Sequence, residues 1–243
     1  MTQLPRAMLI DMDETILSAY GRPELAWNNV TAEFAHEFAP LLPQQVAAAI
    51  LDSARKFWAA AGAEWRLKLE EARHEIVKSG FAALSATGRP LPGELAIRLT
   101  DRFTAYREEE MFVFPGAHDA IDALKARGVK LALVTNGAAV PQRAKVERFE
   151  LAHRFDHIQI EGEHGFGKPE ERAYLHAMEA LGVTASDTWM IGDNLEWEIE
   201  APQRLGIYAI WMDVHGDGPP AGSTVKPDRI IRSLAELLPD QAA

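Results

Sequence analysis

Asp11 and Asp13 stand one residue apart in the run Asp11-Met12-Asp13-Glu14-Thr15, directly after the apolar stretch Ala7-Met8-Leu9-Ile10. Consecutive apolar residues of this kind predict a short buried strand. Both carboxylates then emerge where the strand gives way to a loop. Two acids forced together there can divide labour, one as nucleophile and metal ligand, the other as proton shuttle. The same spelling also suits an ordinary turn, in which Asp side chains bond nearby backbone groups. The pair gains chemical meaning only from the rest of the chain.

Three more turns carry reactive residue types. Thr135-Asn136-Gly137 follows a predicted strand at 130–134, Lys168 comes after one at 157–160, and Gly192-Asp193-Asn194 follows one at 188–191. In an open parallel sheet such strand ends face a common crevice, where ligands bind. Each turn also has a plain structural reading. The first is a turn with Gly at positive φ, the second a solvated lysine before a helix, the third a helix cap. Their arrival in this order, each after a strand, favours one shared site.

That set suits attack by a carboxylate on phosphorus, which requires the repulsion from the phosphoryl oxygens to be cancelled. A Mg²⁺ held by Asp11 and Asp193 would bridge the nucleophile and a phosphoryl oxygen. Lys168 would add a second positive charge, and Thr135 with nearby backbone N–H groups would add hydrogen bonds. Asp13 would protonate the leaving alcohol and then deprotonate the hydrolytic water.

The elements needed to position these groups are legible in the periodicity. Between 20 and 110 the pattern is helical, with stripes of Trp27, Val30, Phe34 and Phe38, of Val46, Ile50 and Phe57, and of Leu95, Leu99, Phe103 and Tyr106. Pro40, Pro43, Gly80, Gly88, Pro90, Pro92 and Gly93 punctuate it, and no convincing strand interrupts it. Helices are expected at 117–127, 141–149 and 169–181, with Gly128 and Gly182 closing the first and last. Strands alternate with them at 130–134, 157–160, 188–191 and 208–212. Gln203 to Gly206 closes a further helix, Ile230 and Ile231 suggest one more strand, and the last residues read as a frayed tail. Such alternation implies βαβ units and a parallel sheet. The helical stretch is then an insertion after the first strand.

The four motifs, in this order, resemble those of the haloacid dehalogenase superfamily. Asp11-x-Asp13-x-Thr15 is similar to its first motif, Thr135 to its second, Lys168 to its third, and Gly192-Asp193 with a later acid to its fourth. The resemblance covers 1–19 and about 111–235. It implies an α/β fold, with a three-layer Rossmann-like core at 1–19 and 111–243 and a smaller all-helical cap at 20–110. It further implies Mg²⁺ dependence, an aspartyl-phosphate on Asp11, and phosphate binding by Thr135, Asn136 and Lys168. Asp11, Asp13 and Asp193 are the implied metal ligands, Asp13 through its backbone carbonyl. Many relatives carry Gly where Glu14 stands here. The later acid is usually Asp; Glu198 is the better match in this chain, ahead of Glu196, as holder of a metal-bound water.

These expectations combine into a Mg²⁺-dependent phosphatase for a small phosphorylated metabolite, with the cap closing over the site to exclude bulk water. Within the family, the second acid at Asp13 favours phosphoryl transfer over haloalkanoate dehalogenation. A sugar-phosphate mutase, a phosphonate hydrolase using Lys56, Lys68 or Lys78, a non-catalytic scaffold and a phosphorylation-accepting signalling domain are the competing readings.

Bulk properties restrict the rest. The 243 residues carry a net charge of −11, which argues against nucleic acid or an anionic membrane as partner. With no cysteine, disulfides and thiolate zinc sites are excluded. The N-terminus lacks the look of a signal peptide, and no apolar run approaches the ~20 residues that span a bilayer. The expected location is the cytoplasm. The run 162–169 nearly spells a nucleotide-binding P-loop, but Pro169 stands where that loop needs a hydroxyl. His153 and His157 have a helical metal-site spacing, yet they straddle a helix-to-strand transition and read as structural. Trp27, Trp58 and Trp65 with Arg22, Arg66 and Arg73 suit a pocket, or more simply a core and a solvated surface.

Overall fold

The computed structural model describes residues 4–19, 21–85 and 90–238. Tyr20, Gly88 and the expected terminal tail past 238 lie outside the described residues. The chain divides into two compact units, one formed by the stretches up to Ser18 and from Phe112 onward, the other by Ala19–Met111.

In chain order the first unit opens with β1 (Ala7–Ile10) and β2 (Leu17–Ser18). The second unit contains α1 (Pro23–Glu33), α2 (Ala35–Phe38), α3 (Pro43–Ala60), α4 (Leu69–Ser85) and α5 (Gly93–Glu109). The chain then returns through β3 (Phe112–Val113), which pairs antiparallel with β2. After it come α6 (Ala117–Ala126), β4 (Lys130–Thr135), α7 (Ala139–Arg148), β5 (His157–Ile160), α8 (Glu161–His164) and α9 (Glu171–Leu181). β6 (Thr188–Gly192) leads into a π-helical segment, Leu195–Glu200, then α10 (Ala201–Arg204), β7 (Tyr208–Met212) and β8 (Arg229–Ile231).

Six strands form one parallel sheet in the order β5-β4-β1-β6-β7-β8. From β1 the connections run outward through β4 to β5, and on the other side through β6 to β8. The direction reverses between β1 and β6, and ligands of open α/β sheets bind at such a switch point. β1 is buried on both faces, as a central strand of a three-layer core must be. Ala7 and Leu9 pack with Ala132, Val134 and Met190 against Tyr174, Ala177 and Leu181 of α9. Gly128 and Gly182 have positive φ (81° and 64°), as residues ending helices α6 and α9 should.

The structure differs from the sequence reading at several ends. α7 begins at Ala139 and α9 at Glu171. β4 runs on through Thr135 and β6 through Gly192. The four-residue α8, ended by Gly165 at φ 75°, was not expected; one turn is too short to show a period. Lys168 therefore leaves a loop after α8, not the end of β5. The helix closed by Gly206 turns out to be a π segment joined to α10.

The second unit is helical among its described residues, with Trp27, Val30, Val46, Ile50, Val77, Leu99 and Phe103 in one core. Trp27 stacks on Phe103 with ring centroids 3.7 Å apart, so it is a core residue. Trp58 is exposed, and Trp65 meets Phe57 edge-on. Arg73 lies over the Phe103 ring and donates to Thr104 Oγ1. No described helix is long and apolar enough to cross a membrane.

Candidate active site

Asp11 follows β1 directly, and its N–H donates to Ile191 O at 3.0 Å. The β1–β6 ladder thus continues one residue beyond β1 and holds Asp11 beside the end of β6, from which Asp193 emerges. The two carboxylates stand at the switch point. Lys168, wholly buried, joins them from the loop after α8. Its Nζ donates to Asp11 Oδ1 at 2.6 Å and lies 2.7 Å from Glu198 Oε1. Thr15 donates its hydroxyl to the other oxygen of Asp11 at 3.3 Å.

Charge accounting shows what this cluster lacks. Burial raises the carboxyl pKa of Asp11, Asp193 and Glu198, with Lys168 only partly opposing it. Glu198 is pushed up to about 7 from an ordinary 4.5. Burial alone would lower Lys168, but Asp11 and Glu198 more than offset it and hold its pKa above that of a free lysine. One ammonium keeps its proton but cannot neutralise three carboxylates, of which Asp11 and Glu198 are buried and Asp193 half-buried. With all four groups ionised the cluster is two negative charges in excess. A hard divalent cation with oxygen ligands matches both that deficit and the donor set. Asp11 and Asp193 are the carboxylates that could hold it.

Glu198 reaches Lys168 because of the π segment. Asn194 caps it by accepting the N–H groups of Glu196 and Trp197, and Asn194 N–H donates to Glu198 Oε2 at 2.7 Å. A Cβ on Gly192 would collide with the Glu198 side chain, so that approach requires glycine. Glu196 is exposed. The raised pKa of Glu198 gives a signed prediction. Stability from its neutral form is fully present below about pH 4.5 and lost as the pH rises through about 7. Without divalent cation, wild type should lose stability relative to Glu198→Gln across that window. Urea unfolding of both proteins, with a flat difference as the contrary result, checks it.

Asp13 is buried and its carboxylate faces α7. Lys145 Nζ lies 2.8 Å from both of its oxygens, and Gln142 Nε2 donates to Oδ2 at 3.0 Å. Gln142 also donates to Thr135 Oγ1 at 2.8 Å, so one buried amide joins the second acid to the hydroxyl ending β4. The Asn136 side chain does not point at a vacant cradle. Its Nδ2 donates to Lys168 O at 2.6 Å and its Oδ1 accepts Lys168 N–H at 2.9 Å, clamping the lysine's backbone. Glu161, also buried, accepts Gly137 N–H at 3.0 Å and orders the turn after β4. A Cβ on Gly167 would come within 2.7 Å of Asn136 Oδ1, so this clamp too depends on glycine. Glu14 has φ 59°, the left-handed region that favours glycine.

Asp11, Lys168, Asp193 and Glu198 are brought together, and Asp13 and Thr135 are linked through Gln142. Lys145, Gln142 and Glu161 were not anticipated. Gln142 and Lys145 share a helix face at i,i+3 spacing after the Thr135 turn, and that was the only available signal.

A family profile described as haloacid dehalogenase-like hydrolase matches residues 5–206. The chain belongs to that family. Among curated relatives, the phosphoserine phosphatase of Thermus thermophilus is 36% identical over 121 residues, covering 49% of this chain and 48% of that one. The pyrimidine 5'-nucleotidase YjjG of Escherichia coli is 29% identical, covering 58% and 61%. The chain spans about half the length of the curated relatives it matches. Among solved structures, the putative HAD-hydrolase YfnB from Bacillus subtilis, bound to magnesium, is similar over 97% of each chain at 27% identity with a TM-score of 0.68. This haloacid dehalogenase-like hydrolase thus shares the family's Rossmann-like α/β fold.

Proposed function

We propose that this hydrolase is a phosphatase that releases phosphate from a small phosphomonoester through an aspartyl-phosphate on Asp11, with Mg²⁺ as cofactor. The observation that carries the reading is the meeting of Asp11, Asp193, Glu198 and Lys168 at the β1/β6 switch point with two negative charges in excess. Its phosphatase-named relatives support the same chemistry.

Asp11 Oδ1, now bonded to Lys168, is one of the two oxygens able to attack; Thr15 holds the other and fixes the carboxylate plane. As a phosphoryl group transfers, the charge on its oxygens is met by Lys168 and by the Thr135 hydroxyl. Asn136 serves by clamping Lys168, so any phosphate contact of its own falls to its main chain. Asp13 would pass a proton to the leaving alcohol and take one from the attacking water, once its carboxylate exchanges a Lys145 or Gln142 contact for the substrate oxygen. Its carboxylate is held in place by Gln142 and Lys145, and its main-chain carbonyl would be the group it offers to the metal. Asp193 would help hold the metal, and Glu198 fixes Lys168 and the Asn194 turn beside it.

The test is phosphate release from p-nitrophenyl phosphate and a panel of sugar and nucleoside monophosphates, with Mg²⁺ or EDTA. Turnover with Mg²⁺, lost in EDTA and restored by excess Mg²⁺, is expected. Turnover that persists in EDTA contradicts the metal role. Absence of release from folded, Mg²⁺-loaded protein across the panel contradicts the phosphatase reading.

A further inference from the structure

Away from the carboxylate cluster, His157, His164 and His176 converge on the outer flank of the sheet. His157 opens β5, the edge strand, at the register of Ala132. His164 ends α8 and His176 lies on α9. One ring nitrogen from each lies within 4.8 Å of the other two. All three side chains are partly buried, so the group is neither sealed nor fully solvated.

The hydrogen bonds fix which nitrogens are available. His164 Nδ1 is 3.1 Å from Ile160 O, a pure acceptor, so Nδ1 carries a proton and the lone pair of the neutral ring is on Nε2. His176 Nδ1 is 2.8 Å from Gln159 Oε1. The amide of Gln159 is oriented by its own bond from Nε2 to Ala173 O at 2.9 Å, which leaves Oε1 as the acceptor. The neutral ring of His176 thus also has its lone pair on Nε2. Nε2 of His157 is buried with no hydrogen-bond partner. An orphaned buried ring nitrogen beside two pre-oriented imidazoles calls for an electrophile. Ring nitrogens fixed by a carbonyl or amide on the far side are the usual outer support of metal-bound histidines.

We propose that His157, His164 and His176 form a second metal site, which takes a late first-row divalent cation of the Zn²⁺ type and cross-links β5, α8 and α9. Three imidazole nitrogens select such an ion over Mg²⁺, which prefers oxygen ligands. Burial, followed by His176 and His164, holds the His157 pKa below the ordinary histidine range. With Zn–N distances of ~2.0–2.1 Å, tetrahedral geometry needs ligand nitrogens about 3.4 Å apart, so the rings draw in slightly on binding. Water fills the fourth position. Phe166 packs edge-on against His164 and His176 and shields one side. The cation would pin the start of the 161–168 segment, whose far end delivers Lys168 to Asp11. This inference does not rest on the phosphatase reading.

The experiment loads the full chain with ZnCl2 at saturating MgCl2, removes excess by gel filtration and measures metal content and thermal unfolding. One retained Zn²⁺ per chain and a raised Tm are expected. His176→Ala and His164→Ala should lose that Zn²⁺ while Asp193→Asn keeps it. Gln159→Ala should weaken binding by about 10–100-fold. In parallel, histidine ring NMR of wild type, which needs no variant to fold, should show three of the eight histidines perturbed by Zn²⁺. Zn²⁺ retention abolished by Asp193→Asn, no retention at all, or unperturbed histidine rings would each overturn the proposal.

Discussion

Asp11→Asn is expected to lower phosphomonoester turnover by at least about 10⁴-fold, because the amide cannot form the acyl phosphate and loses a charge on the cation. The same substitution should not unfold the protein. Burial already raises the Asp11 pKa, so the native state pays to keep this carboxylate ionised without a cation. A neutral isostere removes that cost, and Lys168 retains Glu198 as partner. Stability of the variant in EDTA at about pH 8 should equal or exceed that of wild type. Paired assays of turnover and urea unfolding check both halves. Loss of activity together with loss of fold would contradict the account of the cluster's charge.

Lys168→Met is expected to damage both function and fold. It removes the one ammonium set against Asp11 and Glu198, leaving buried carboxylates without a counter-charge. Breaking a buried ion pair from one side costs about 3–5 kcal/mol. Loss of a charge facing the transferring phosphoryl group should lower turnover by about 10²–10³-fold or more. The stability deficit has a pH sign. Without Lys168 the carboxylate pKa values rise further above their unfolded values, so the deficit should grow as the pH rises from about 5.5 to about 8. Adding Mg²⁺ should recover part of it at the upper end. Denaturant unfolding at the two pH values, with and without Mg²⁺, measures this. A deficit independent of pH would point to lost packing instead.

The parts of this molecule that were legible in its sequence are those fixed by local pattern. Residues 7–10, 157–160 and 208–212 form strands with the expected bounds. Residues 7–10 and 208–212 are apolar runs buried on the sheet, and 157–160 alternates polar and apolar residues as an edge strand does. The convergence of Asp11, Lys168 and Asp193 was legible because a parallel sheet places its strand ends together. What was not legible depends on long-range placement. Lys168 was read as sitting at a strand end, whereas α8 intervenes and Asn136 and Glu161 order the loop from across the turn. Lys145 looks in sequence like a solvated helix residue, and only the fold turns it onto Asp13. His157 was weighed against His153, its helical neighbour in spacing; its actual partners, His164 and His176, come from two other elements. The π segment that carries Glu198 onto Lys168 follows no periodic signal and depends on Gly192 and the Asn194 cap.

The central claim is that Asp11 accepts the phosphoryl group. The most direct measurement is acid quench of Mg²⁺-loaded protein during turnover of p-nitrophenyl phosphate, followed by peptide mapping. A phosphoryl group on the peptide containing Asp11, at the Asp11 carboxylate and absent from Asp11→Asn, is the predicted result. Sustained turnover with no phosphorylated peptide, or turnover that survives Asp11→Asn, would contradict it.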